Sequence, residues 1–267
     1  MEERHITGKR FIKYLSIPYL EDCLDILDSE VYVFEKLDGS NCQIRVIDGR
    51  IAFGSRARYL EGIVLREGHG WFRDFSSWVW RKGDLYNIPP HLILYGEWLH
   101  LNQIKYDDEN MNDFYLLDVY DLEKGKFIPY DEAVEEIKRH NVSVNVLRIL
   151  GKGKFDKESL KRILHEESDY YHGIKEGLVL KDYANQRFAK MYHPRFSEVV
   201  EGEGIPLNQK YVTPSRVFRV QQRLREEGKK DSMEVLVQAL QKDIEKTTGV
   251  SLTEKDIRQA LSLIRDK

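Results

Sequence analysis

A chain of 267 residues with 41% hydrophobic residues can bury one large core, or a core and a small appendage, and is too apolar for general disorder. Its formal net charge of −3 excludes a globally basic nucleic-acid binder, so any such surface must be a local patch. Cys23 and Cys42 are too few for a disulfide framework or a zinc quartet, no apolar run of about 18 residues is present, and the first residues do not read as a signal peptide; a soluble, cytoplasmic protein with no membrane partner is expected.

From residue 6 to 27 the pattern is mixed, with apolar positions at Phe11, Ile12, Leu15, Leu20, Leu24 and Leu27, and a short helix is expected near Tyr19–Leu27. Short strands follow at 31–36, 42–47 and 50–54, the last two joined by Asp48-Gly49, a strong hairpin signal. Trp71, Phe72, Phe75, Trp78 and Val79 recur at helical spacing over 70–82 and read as a buried aromatic face, in preference to a base-stacking one. After Pro89-Pro90 come two nearly continuous apolar runs, His91–Trp98 and Phe114–Tyr120, the pattern of central strands.

A helix is predicted over Tyr130–His140, a strand over Val142–Ile149, and a second helix over Asp156–Glu167 with Asp156 as its N-cap. Strands Gly173–Lys181 and Arg187–Met191 complete this part. Beyond it the texture becomes helical: Ser215–Glu227, Ser232–Lys246 and Thr253–Arg265, with Gly228 and Gly249 as stops. The fold class expected is α+β, with a boundary dividing residues 1–203 from a helical 204–267.

Five features stand apart from the core pattern: Glu35-Lys36-Leu-Asp38-Gly39-Ser40-Asn41, Ser55-Arg56, Gly96-Glu97, Lys175-Glu176-Gly-Leu-Val-Leu-Lys181, and Phe188-Ala-Lys190-Met-Tyr192. Each lies in or at the end of a predicted strand. Lysines and an arginine suit phosphates, and carboxylates suit Mg²⁺. Lys36, ending a strand and meeting a glycine turn, is held where it can approach a phosphate, and is read as a covalent nucleophile.

These segments, in this order, resemble the collinear motifs of the covalent nucleotidyltransferases, the polynucleotide ligases and mRNA capping enzymes, over roughly residues 10–200. Asp38-Gly-Ser-Asn41, Gly54-Ser-Arg56 and Arg195-Phe-Ser-Glu198 are most similar to the phage-type RNA ligases that seal nicks in duplex RNA and to the RNA-editing ligases. The resemblance implies a nucleotidyltransferase (ATP-grasp-like) domain of mixed and antiparallel sheets with flanking helices, then a small all-helical domain. It implies an ATP-dependent RNA ligase that joins RNA 3′-hydroxyl and 5′-phosphate ends through lysyl-AMP and an adenylated RNA end, with Mg²⁺ or Mn²⁺.

The same resemblance assigns roles. Lys36 attacks the α-phosphate; Lys181 and Lys190 grip it; Arg56 holds the ribose or the RNA terminus; Asn41 and Ser40 contact the ribose or the RNA end. Glu97 accepts from the ribose 2′-hydroxyl, and Glu176 binds metal in the third step. Glu35 is open between a main-chain contact to adenine and a purely structural side chain. A free lysine near pKa ~10.4 is almost wholly protonated at neutral pH, and lowering it to ~7 removes roughly 4–5 kcal/mol. Arg56, Lys181, Lys190 and a bound Mg²⁺ are the cations expected to do so. Two positions depart from the family. Tyr192 stands where relatives have a second lysine, with Arg187 or Lys181 as possible substitutes, and Leu117 where relatives place an aromatic ring on adenine.

Arg216, Arg219 and Arg223 share one face of a predicted helix, read either as an RNA-phosphate surface or as a solvated face. Two rivals are carried: a minimal ATP-dependent DNA ligase, disfavoured because the tail is helical and too short for a β-rich domain, and a non-catalytic RNA-binding module, disfavoured by the intact Lys36, Glu97, Glu176 and Lys190.

Overall fold

The computed structural model describes residues 11–56, 70–100, 103–200, 204–226, 228–229 and 232–265. Ala57, Arg58, Glu227 and Lys230, and the side chains of Trp71 and Phe72, lie outside what it describes. The chain forms two compact units, Met1–Met191 and Tyr192–Lys267.

The first unit holds two sheets. Strands β1 (Val31–Lys36), β8 (Gly151–Gly153), β9 (Gly177–Asp182) and β10 (Arg187–Tyr192) form one, in the order β10-β9-β1-β8. Strands β2 (Ser40–Ile47), β3 (Arg50–Ser55), β4 (Leu92–Leu99), β5 (Asp113–Asp121) and β6 (Lys126–Phe127) form the other, with β7 (Asn145–Val146) pairing parallel to β5. Side chains alternate along β1: Val31 and Val33 face back, where Leu178 and Leu180 join Leu160 and Leu164 of helix α3 (Lys157–Leu164) in an apolar cluster. The other face carries Phe34 and Lys36, opposite Val179 and Gly177. The second sheet is covered by helix α1 (Gly70–Arg81), whose Phe75 and Trp78 stack on Phe114 and meet Trp98, tilted and edge-on respectively, so these two residues of the aromatic stripe are core.

Most elements fall where the pattern puts them; the exceptions have local causes. Tyr19–Leu27 is not one helix but two 3-10 turns, Leu20–Asp22 and Leu24–Asp28, because Cys23 between them is extended in φ at −149°. Val142–Ile149 is not a continuous strand: Asn145–Val146 pairs with β5, whereas Gly151–Gly153 pairs with β1, so the chain is crossing between sheets. Helix α2 (Tyr130–Arg139) follows β6, and Asp156 caps α3 by accepting from the Ser159 amide at 2.7 Å. The mixed stretch before Leu20 is a strap: the Ile12 carbonyl accepts from Gln43 and Tyr95 on the second sheet, and the Pro18 carbonyl from the Lys190 amide on the first.

The second unit contains α4 (Leu207–Tyr211), which periodicity did not reveal, then α5 (Pro214–Glu226), α6 (Met233–Thr248) and α7 (Glu254–Arg265) around Val220, Leu224, Leu240, Ile244 and Ile257. Ser232 caps α6, and Gly249 ends it at φ 70°. No helix among the described residues is long and apolar enough to cross a membrane.

Candidate active site

Strand β1 delivers Lys36 at its last position. Its Nζ donates to both carboxylate oxygens of Glu176, at 2.8 and 2.7 Å. The turn that follows is built by close approach. A Cβ on Gly39 would lie 2.5 Å from the Trp98 carbonyl oxygen, so only glycine lets β2 start beside β4. The Gly39 amide donates to Glu97 at 3.2 Å, and Asn41 pairs with Glu97 in register. Asp38 is fixed by the loop after β4: its carboxylate accepts from the Ile104 amide at 2.8 Å, and its own amide donates to the Tyr106 hydroxyl oxygen at 2.6 Å. A Cβ on Gly96 would collide with the Phe114 ring, and beside it the register shifts so that Leu117 is the extra residue of a bulge. A bulge re-aims a side chain, and Leu117 is half-buried on this stretch of β5.

The electrostatics are those of excess acid. Burial, then Asp38 and Glu97, push the Glu176 carboxyl up to about 8, while Lys36 pulls it down. Burial and Asp38 push Glu97 up to about 7 against Lys36, the Gly39 amide and Arg56. Because Glu97 titrates above its ordinary 4.5, its neutral form suits the fold: the stability it contributes is full below pH ~4.5 and lost as pH rises through about 7. Glu97→Gln should therefore raise the melting temperature at pH 8, by about 1–3 kcal/mol of stability, and leave it unchanged at pH 4.5; calorimetry at the two pH values checks this.

The structure corrects several site assignments. Lys181 is 2% exposed in its side chain and donates to Asp118 at 2.8 Å and to the Leu117 carbonyl at 2.6 Å, with Phe34 beneath it at 4.7 Å. It joins β9 to β5 across the two sheets through Asp118, a partner that the phosphate-gripping role expected of it did not foresee. Tyr14 and Tyr183 complete the clamp by donating to Asp118. None of these three was identified as functional from sequence, although a lone acid at 118 in an apolar strand was a visible signal. Ser40 pairs with Trp98, and its hydroxyl meets His100 Nε2 at 2.8 Å; strand alternation puts it on the face opposite Asn41, with which it was expected to act. Glu35 faces back and accepts from Ser168 Oγ at 2.6 Å and the Asp169 amide at 3.2 Å, which makes its side chain structural. Arg187 is paired with Asp25 at 2.8 Å and shares the parity of Ala189 in the back cluster, so it does not replace a phosphate lysine.

Arg56 lies near enough to Glu97 to lower the pKa of its carboxyl, and Lys190 lies on β10 beside the strap. Exposed Arg56 donates to the Leu15 carbonyl at 3.0 Å, and half-buried Lys190 lies over the Tyr19 ring at 4.5 Å. Within the second unit, Arg216 is fully buried, donating to Asp243 at 2.7 Å and Thr247 at 2.9 Å. Arg219 joins Asp243 at 2.5 Å and Glu198 at 2.6 Å, and Arg223 joins Asp243 at 3.0 Å. Spacing showed that the three share a face but not where it points. It points at two carboxylates, so Arg216 is no RNA contact and its neighbours are half-covered partners of Asp243.

The sequence profile of the RNA ligase family matches residues 29–196, more than half of the chain. The chain belongs to the RNA ligase family. Structures of a Naegleria gruberi RNA ligase share the fold: an apo form and one with AMP and manganese each give a TM-score of 0.55 at 20% identity over 71% of this chain, and one with pyrophosphate gives 0.53 at 21%. The chain spans 58% of the length of those Naegleria chains. No curated protein matches it. The matched stretch takes in the candidate site residues from Lys36 to Lys190, and leaves α5, α6 and α7 outside.

Proposed function

We propose that the chain is an ATP-dependent RNA ligase that becomes covalently adenylated on Lys36 and joins RNA 3′-hydroxyl and 5′-phosphate ends, with residues 1–203 as the adenylation domain and 204–267 as a helical appendage. The observation that carries this is the bidentate contact of Lys36 with Glu176 at the mouth of paired strands, inside the stretch that matches the RNA ligase family.

Lys36 Nζ touches a carboxylate whose pKa of about 8 makes it a competent proton acceptor near neutral pH. In the first step Glu176 takes the proton, the freed amine bonds to the α-phosphorus of ATP, and the bond to the β-phosphate oxygen breaks to release pyrophosphate. In the second, an oxygen of the RNA 5′-phosphate attacks the same phosphorus, the P–N bond breaks and Lys36 recovers a proton. In the third, the RNA 3′-hydroxyl loses its proton, bonds to the 5′-phosphorus and expels AMP. Glu97 accepts from the ribose hydroxyl, Asn41 and Arg56 face the ribose or RNA end, Leu117 packs on adenine, and Lys190 is the cation left for the α-phosphate. This reverses the expectation that neighbouring cations alone activate Lys36; its immediate neighbours are acids.

The donor set fits a divalent ion of the Mg²⁺ or Mn²⁺ kind. Among the described residues no three acidic, histidine or cysteine side chains form a cage, and Mg²⁺ characteristically keeps waters and takes one or two carboxylates with substrate phosphates. Glu176 would be the protein ligand in the joining step. A bound ion supplies positive charge against the transferring phosphate.

Incubation with ATP labelled at the α-phosphate, with Mn²⁺, should leave label on the denatured chain, released by acid as AMP and by pyrophosphate as ATP. Absence of label at every pH tested overturns the reading. Nicked RNA joined in preference to nicked DNA by the labelled chain separates it from a DNA ligase.

A further inference from the structure

Strand alternation does not explain how Glu176 reaches Lys36. The register Glu35↔Leu178 and Lys36↔Gly177, carried one step further, sets Leu37 opposite Glu176 and sends that side chain to the back face. The carboxylate is instead at Lys36 Nζ, because β9 begins only at Gly177 and the chain bends at Glu176. What holds the bend is Lys175. It is 1% exposed, and its Nζ donates to the carbonyls of Glu166 at 3.0 Å and Glu167 at 2.7 Å, just past the end of α3. Those carbonyls belong to the turn that follows the His165 cap of α3, so the ammonium ties this turn to the residue before Glu176. The same loop is closed by the Ser168 amide on the Gly173 carbonyl at 2.9 Å and gripped from β1 by Glu35. Thus Glu35-Lys36 and Lys175-Glu176 are two dipeptides of opposite charge order. Lys36 and Glu176 meet in the cleft, while Glu35 and Lys175 anchor one loop behind it.

We propose that Lys175 is a positioning residue, anchored on the 166–169 loop so that the chain turns and the Glu176 carboxylate meets the Lys36 amine. It rests on the reading of Lys36 as nucleophile. A lysine buried on two carbonyls, with no carboxylate of the described residues in salt-bridge reach, is a costly filler that methionine could replace for packing alone. The titratable groups facing Glu176 are Lys36, Asp38, Glu97 and Tyr106.

The test follows self-adenylation of Lys175→Met across pH. The rate at pH 7.5 should fall roughly 10²-fold with the KM for ATP unchanged, as for a misplaced reacting pair. The half-maximal pH should move up by about one unit or more, toward that of a free lysine. Lys175→Arg, which can donate to both carbonyls, should restore the midpoint. A lower melting temperature with an unmoved midpoint overturns the proposal. If Lys175→Met does not fold, Ser168→Ala, which loosens the same loop, decides: its midpoint should also rise, and an unmoved one overturns the proposal. If the unaltered chain takes no label, it is the ligase reading that fails.

Discussion

Lys36→Ala should abolish transfer of AMP to the chain and reduce joining of 5′-phosphate RNA by roughly 10⁴-fold or more, because no other amine stands in its place. Lys36→Arg should be as inactive: a guanidinium can still pair with Glu176 but does not give up its proton. The informative arm is an RNA whose 5′ end already carries AMP. That substrate needs no attack by the lysine, so both variants should join it far better than the ordinary end. Gel analysis of the two substrates side by side checks this. Joining of ordinary 5′-phosphate ends by Lys36→Ala with ATP would remove the nucleophile from position 36. Loss of both reactions would leave Lys36 a binding residue only.

The second large effect belongs to the helical unit. Asp243→Ala should cost about 3–5 kcal/mol, since it strips the carboxylate from a fully buried guanidinium and from two partly exposed ones. Burial opposes the ionisation of Asp243, yet Arg219, Arg216 and Arg223 hold it below its ordinary 3.8. The stabilisation is therefore present above pH ~3.8 and lost as pH falls through the lower folded value. Urea melts of both chains at pH 7 and pH 3 should show a wide gap at the first and a narrower one at the second. Reversing Arg216 to glutamate would unfold the helices and report nothing about RNA. Equal stability of Asp243→Ala at pH 7 would show the cluster to be idle.

The sheets, the order of the chemistry-bearing segments and the place of Lys36 at the end of β1 were legible because each rests on a local signal: alternation, a glycine turn, a lysine ending an apolar run. What a polar side chain meets across the fold was not. Lys181 and Lys190 look alike in sequence, yet one is buried against Asp118, 63 residues away, and the other is half-buried over the Tyr19 ring. Ser40 and Asn41 are neighbours with opposite faces, a distinction set by the residue at which β2 begins pairing with β4. Arg216 obeyed its helical spacing, but the identity of its partner lay on another helix. The bend at Glu176 breaks the very alternation from which a reader would have placed it.

The strap from Phe11 to Tyr19 also dictates a sequence of events during synthesis. It emerges from the ribosome early, but its Tyr14 hydroxyl waits for Asp118, 104 residues later, and its Pro18 carbonyl for the Lys190 amide. Strand β1 likewise waits for β8 and β9, whereas β2, β3, β4 and β5 pair with near neighbours as soon as they appear. The nascent protein therefore carries the paired strands β3-β2-β4-β5 while β1 still waits for β8 and β9, and the strap is not fastened at Pro18 until translation has passed residue 190.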